Sequence, residues 1–219
     1  MDAREVAAYL KAHPEFFEHY ADLLTQVLIP DPHGGHAISI TERQLGTLRE
    51  RTKKLEAKLA ELLHFGEEND AIGEKLHRLG VALMAADDCT EVLAALYYHL
   101  GNDFAVPQVS LRLWGLDAPS GEEEREEFAP PEPGLLSFAA SLKHPLCGPS
   151  ANFEPVSWLA PSIRSAAVLP LQQRASTIGV LVLGSEEPHR FYAEMGTLFL
   201  SRLGDLASAA LWRVLRAPS

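Results

Sequence analysis

The chain reads as an α+β protein in which a long, heptad-bearing helix precedes a small sheet flanked by helices. Three observations predict this. Leu48, Leu55, Leu62, Asn69, Leu76 and Leu83 recur every seven residues, the spacing of a coiled-coil seam. Three later segments, 108–114, 165–171 and 177–183, carry strand patterns rich in Val, Leu and Ile. Amphipathic helical patterns stand before the first of these strands and after the last, so the sheet has helices to bury one of its faces.

The 219 residues suffice for one domain with a core plus a helical extension. Apolar residues make up 47% and charged residues 22%, the balance of an ordinary globular chain. The opening Met1-Asp2-Ala3-Arg4-Glu5 lacks the basic start and apolar core of a signal peptide, and no apolar run approaches the roughly 18 residues that span a bilayer. Cys89 and Cys147 are the only cysteines, so no disulfide framework is expected and a cytoplasmic location fits. The expected organisation is a helical pair and linker over 1–38, a dimerisation helix over 39–86, and a domain over 87–219 whose first helix is shared with the long helix from about residue 66.

Taken in order, Asp2 and Glu5 have the spacing of a capping box, with Val6, Tyr9, Leu10 and His13 following on one side. Pro14 ends that helix and can begin another, placing a joint at His13. Phe16, Phe17, Tyr20, Leu23, Leu24, Val27 and Leu28 predict a second helix with a wide apolar face. The segment 29–37, with two prolines and two glycines, breaks structure. It contains Asp31, His33 and His36, the one local grouping that suggests a metal. Its flexible frame and the lack of a further ligand at a familiar spacing argue for a plain loop and no metal site.

Ser39 with Glu42, or Thr41 with Gln44, is expected to cap the long helix. In its first half Leu45 and Leu59 alternate with Leu48, Leu55 and Leu62, with Thr52 the polar exception. Further on, Gly66, Gly73 and Gly80 occupy the partner positions, and the apolar residues step back to Phe65, Ile72 and Leu79. The helix should therefore leave one partner and dock on another surface. The glycines mark either a kink or a close helix approach, for which Gly196, Gly204, Ala207 and Ala210 offer a matching surface; Asn69 would set register. Arg43, Arg49, Arg51, Lys53, Lys54 and Lys58 are interleaved with acids around the seam. Such interleaving suits coiled-coil flanks better than phosphate contact, so no nucleic-acid partner is expected.

Thr90 and Glu91 open a further helix with Val92, Leu93, Leu96, Tyr97 and Leu100 inward. The first strand then alternates Val109, Leu111 and Leu113 against Ser110, Arg112 and Trp114, one dry face and one mixed. The second and third strands are apolar on both sides, so they should be central and covered twice; Gln172–Ser176 is a hairpin-length connection between them. Between the first and second strands lie a short helix (Leu135, Leu136, Phe138, Ala139, Leu142) and a covering loop (Phe153, Val156, Trp158, Leu159). Residues Phe191 to Val214 carry the last helix, with Arg213 and Arg216 at its negative end.

The mixed face of the first strand is the candidate ligand site. Ser110, Arg112 and Trp114 should point away from the flanking helices, with Phe138, Phe153 and Trp158 brought over them and Cys147 nearby. An Arg beside aromatic walls suits a small ligand with an anionic or planar polar group. The alternative is that Arg112 pairs with the acidic segment at Glu122–Glu127 and Trp114 is ordinary core. That segment, 117–132, holds seven acids against Arg125 within a chain of net charge −11, and its composition is that of a solvated, mobile loop. Catalytic signatures are weak. None of the nine histidines stands at a triad or metal spacing, no phosphate-cradling glycine loop is present, and His144 with Cys147 could form a thiolate–imidazole pair only if folded together.

The two ends of the chain resemble the bacterial family called domain of unknown function 484. The resemblance rests on Val6-Ala7-Ala8-Tyr9-Leu10, His13-Pro14-Glu15-Phe16-Phe17, Ile29-Pro30 followed by Gly34, Ser39-Ile40-Thr41-Glu42-Arg43-Gln44 and Leu48-Arg49. At the far end it rests on Leu183-Gly184-Ser185, Arg190-Phe191 and Met195-Gly196-Thr197-Leu198-Phe199-Leu200. It implies a GAF-like antiparallel sheet with first and last helices on one face, in a cytoplasmic dimer; it supplies no established ligand and leaves any cofactor unknown. The nucleotide-binding signature of GAF domains in phosphodiesterases is absent, Cys147 is followed by Gly148 where bilin-binding relatives have His, and the cysteine set of GAF-type methionine sulfoxide reductases is not matched.

The expected function is a non-enzymatic, homodimeric sensory or regulatory module that takes a small ligand on the Ser110–Arg112–Trp114 face. A ligand-free adaptor is the alternative; the resemblance makes a tyrosine recombinase of chromosome-dimer resolution its candidate partner. An enzyme working through Cys147 is the third reading.

Overall fold

The computed structural model describes residues 2–29, 38–153, 157–174 and 176–215. Asp31, His33 and His36 of the metal grouping, Val156, Ala175 and Arg216 lie outside them. Two compact units divide the chain, Met1–Glu67 and Glu68–Ser219.

In the first unit, α1 (Ala3–Ala12) begins as the capping box requires, the Asp2 amide donating to Glu5 Oε2 at 2.8 Å, and ends at His13. The expected second helix is instead two single turns, α2 (Phe16–His19) and α3 (Leu23–Gln26), followed by a strand, β1 (Leu28–Ile29). Val27 to Ile29 turn extended because β-branched residues favour it and a residue before proline, here Pro30, is pushed out of the helical region. β1 pairs antiparallel with β2 (Ile38–Ser39), so Ile29 is a strand residue and not part of a break; the rest of the segment, 30–37, lies outside the described residues. Ser39 belongs to this pair, and Thr41 turns its hydroxyl to the Leu24 carbonyl at 3.3 Å.

The helix α4 runs without interruption from Ile40 to Ala85, through all three glycines. Its leucines divide sharply. Leu45, Leu48, Leu55, Leu59 and Leu62 are 49–68% exposed, whereas Leu76, Leu79 and Leu83 are at most 7% exposed. Asn69 is exposed. The step of the apolar face to Ile72 and Leu79 is real, but Phe65 remains 49% exposed.

A close approach at the glycines is not what this fold contains. A Cβ at Gly66 or Gly73 would meet nothing within 4 Å, and at Gly80 only Leu206 methyls at 3.8 and 3.9 Å. Gly196 precedes the last helix, and Gly204 faces the Pro170 carbonyl, not α4. Gly66→Ala and Gly73→Ala should therefore each stabilise the chain by about 1 kcal/mol, the full difference in helix propensity. Thermal melts in which either replacement destabilises would show a contact at these positions beyond the single chain.

The second unit is built on a four-stranded antiparallel sheet in the order β3 (Gln108–Leu113), β6 (Ser176–Ser185), β5 (Ser165–Gln173), β4 (Leu146–Pro149). The two doubly apolar strands are central, as their composition requires, and form a hairpin with Gln173 opposite Ser176. The edge strand β4 is invisible as a pattern: four residues, one of them Gly148 and one Pro149, a composition tolerated only at an edge.

On one face, Leu111, Leu181 and Leu169 lie in register across three strands, each at most 2% exposed. They pack with Leu76, Leu79 and Leu83 of α4, Val92, Leu93, Leu96 and Leu100 of α5 (Cys89–Asn102), and Leu203, Ala207 and Leu211 of α7 (Leu198–Leu215). Asp88 caps α5, accepting from the Glu91 amide at 2.8 Å. Phe191 and Met195 precede α7 instead of lying on it. Arg213 does not serve the end of its own helix. It donates to the carbonyls of Leu83 and Ala86 at 3.1 and 2.5 Å, satisfying the last turn of α4.

The other face packs Val168, Val180 and Val182 under Ala139 and Leu142 from the region of α6 (Pro133–Ser141) and under Leu159 and Ile163. Trp114, Phe138, Phe153 and Trp158 are partly buried against this second cluster. The architecture is thus α+β, an antiparallel sheet with helices on both faces.

Candidate functional site

Strand alternation decides which side chains share a face. Ser110 stands opposite Val182 and Arg112 opposite Val180, so both lie on the second-cluster side, away from α4, α5 and α7. Cys147 does not join them. It pairs with Ala167 and packs in the helix-side core, so the expectation that it lines the ligand face is corrected by strand parity, since neighbouring residues of β4 point to opposite faces.

The Arg112 guanidinium is the centre of the arrangement. It stacks over the Trp158 ring with its carbon 4.8 Å from the centroid. One terminal nitrogen donates to the Leu111 carbonyl at 3.0 Å, and the other lies 3.5 Å from Glu126 Oε2. Arg112 is 14% exposed and Glu126 84% exposed. Arg112 and Trp158 line a cleft of about 490 Å³ with Ala129, Pro131, Glu132 and Leu135. Ser110 is buried, and Trp114 is half-buried with its indole donating to the Thr177 carbonyl at 2.9 Å. Phe138 and Phe153 pack behind the cleft in the second cluster and do not line it. Of the residues expected on this face, Arg112 and Trp158 line the cleft, and Ser110, Trp114, Phe138 and Phe153 do not. Arg112 pairs with the acidic segment, Trp114 belongs to the core, and a cleft stands over the arginine.

The acidic segment is irregular and most of its carboxylates are exposed, as its composition suggests, but part of it packs on the domain. A 3₁₀ turn at Glu126–Phe128 packs beside β3, covering an edge that would otherwise expose unpaired backbone groups. Glu127 is buried; it accepts from the Tyr97 hydroxyl at 2.8 Å and lies 3.5 Å from Arg125. Glu122 pairs with Arg125 at 3.1 Å and accepts from the Thr90 hydroxyl. Burial, followed by the Glu127 hydrogen bond, pushes the Tyr97 hydroxyl well above its usual range. Composition hid all of this, because seven carboxylates read as solvated. The legible signal was the lone Arg125 among them, followed by Phe128 and two prolines.

Residues 1–214 match the family described as "Protein of unknown function, DUF484". The chain belongs to this family. The DUF484 chain is 26% identical over 223 residues to "Uncharacterized protein YigA" of Salmonella typhimurium and 27% identical over 221 residues to that of Escherichia coli K12; each alignment covers 97% of this chain and 92% of the relative. Among solved structures it is similar to the GAF domain of an Acinetobacter phosphoenolpyruvate-protein phosphotransferase (16% identity, 67% of this chain and 95% of that chain, TM-score 0.48). It is also similar to the GAF domain of the Coxiella burnetii phosphoenolpyruvate-protein phosphotransferase (17%, 66% and 94%, TM-score 0.49). A third is the free methionine-R-sulfoxide reductase of Neisseria meningitidis (20%, 64% and 87%, TM-score 0.47).

The cysteines of this DUF484 chain are both buried. Burial pushes the Cys147 thiol up to about 11, and burial with the nearby Glu122 carboxylate does the same for Cys89. Both are thiols, not thiolates, at neutral pH, which is the unreactive state. Among the described residues no three His, Cys, Asp or Glu side chains gather as metal ligands. No described helix is long and apolar enough to cross a membrane.

Proposed function

We propose that the chain is a homodimeric regulatory module whose sheet-side cleft takes a small planar ligand bearing one negative charge. The carrying observation is the state of Arg112: 14% exposed, stacked on Trp158, and ion-paired, among the described residues, to one carboxylate that is 84% exposed. A pair whose carboxylate stays in water, at 3.5 Å, is worth only about 0–1 kcal/mol. A ligand carboxylate seated in the cleft would meet the guanidinium in a drier setting and displace Glu126. The flat Trp158–Arg112 stack favours a planar body, and Glu132 in the lining disfavours polyanions by like-charge repulsion.

The same geometry supplies a route for the signal. Glu126 pairs with the cleft-lining Arg112, and its neighbour Glu127 holds Tyr97 of α5. Displacing Glu126 would shift the turn that ties the cleft to the helix layer. The ligand acts only to the extent that it binds one arrangement of that turn more tightly. Dimerisation would occur through the exposed leucines of α4, whose spacing suits a second copy of the same helix.

A thermal-shift screen of planar monocarboxylates tests the reading. A binder that raises the midpoint of the wild type should lose its effect in Arg112→Ala, while Glu126→Gln should tighten binding severalfold by removing the competitor. Loss of the Trp158 stack alone should cost the unliganded protein only about 0.5–1 kcal/mol. Equal shifts in wild type and Arg112→Ala would refute the site. The chain would then be better read as an adaptor acting through its leucine-lined helix.

A further inference from the structure

A second cavity lies on the opposite side of the sheet, and its chemistry differs from that of the Arg112 cleft. It has a volume of about 230 Å³ and is walled by Leu76, Leu100, Leu183, Phe199 and Leu203 among other apolar side chains. Among the described residues, the charged groups lining it are Lys75 and Arg190. An engineered apolar cavity of about 150 Å³ holds benzene, so this one has room for about nine heavy atoms.

The two cations are differently placed. Arg190 is a fixed post. Its terminal nitrogens donate to the carbonyls of Ala105 and Phe104 at 2.8 and 2.6 Å, pinning Ala105 in a left-handed conformation with φ 52° that a residue with a side chain seldom adopts. Lys75 is a free charge: its ammonium rests 5.9 Å from the Phe104 ring centroid and forms no ion pair among the described residues. Nor does sequence provide a helical partner, since the positions three and four away are Ile72, Ala71, Arg78 and Leu79. Two cations bordering an apolar chamber, with no carboxylate lining it, leave an unanswered positive charge where a ligand's head group would sit.

We propose that this cavity binds a straight-chain carboxylate of about seven or eight carbons, its tail between Leu100, Leu183 and Leu203 and its carboxylate between Lys75 and Arg190. The site is independent of the Arg112 cleft. Its walls come from α4, the end of α5, β6, the segment before α7 and α7 itself, so occupancy would brace the helix layer directly.

Octanoate is the probe. Equilibrium dialysis of the full chain should show one saturable site per chain, while octylamine, with the same tail and opposite charge, should not saturate. Lys75→Met keeps the stem and removes the charge; it should weaken octanoate at least tenfold, and Lys75→Arg should restore most of the affinity. Amide chemical-shift changes should cluster at residues 195–203 and 72–76. The proposal is overturned by absence of saturable binding at millimolar octanoate or by equal binding in wild type and Lys75→Met. Shift changes centred on Arg112 and Trp158 would overturn it as well, because they would place the carboxylate in the other cleft.

Discussion

Leu181→Ala lowers the stability of the chain by about 2–5 kcal/mol, the range for a Leu-to-Ala change at a site that cannot collapse. Leu181 is 1% exposed at the middle of the central strand, flanked in register by Leu111 and Leu169 and roofed by leucines from three helices. A backbone fixed on both sides by β3 and β5 cannot move in to fill the void. In a chain of this size each kcal/mol is worth about 2–4 °C in Tm, so calorimetry should record a fall on the order of 10 °C. A fall of only a degree or two would mean that the helix layer is packed more loosely than this geometry describes.

Replacing Leu48, Leu55 and Leu62 together with Lys should convert a dimer to a monomer in sedimentation while leaving helicity little changed, because Lys is nearly as good a helix former as Leu. All three are more than half exposed in the single chain, so the folded monomer loses no core. A leucine buried against a second helix contributes about 1.5–3 kcal/mol. Losing three removes enough to move a submicromolar dimer beyond millimolar dissociation. The parallel change at Leu76 and Leu83 should instead unfold the second unit, since those side chains are at most 7% exposed within it. Identical masses for wild type and the triple variant would contradict the assignment of this face to self-association.

These two experiments separate leucines that one heptad pattern presents as equivalent. The sequence by itself determined the long helix, the capping of α1, the inward face of α5, the central place of β5 and β6, and the sides of β3 on which Leu111 and Arg112 fall. Each is a local property, set by a period of two or 3.6 or by a cap within a few residues. Only the tertiary structure decided where the seam ends, because burial of Leu76 and Leu83 depends on α5, α7 and the sheet arriving beside them. It also decided that Cys147 faces the helix side, since β4 has too little pattern to reveal its parity. The acidic segment shows the limit most plainly. Seven carboxylates read as solvent-facing, and Asp117, Glu123, Glu124, Glu126 and Glu132 are exposed. Yet Tyr97 of α5 and Arg112 of β3 answer Glu127 and Glu126 from outside the segment, while Arg125 pairs with Glu122 and Glu127 from within it. A charge's partner across tens of residues is fixed by the fold, and no local spacing encodes it.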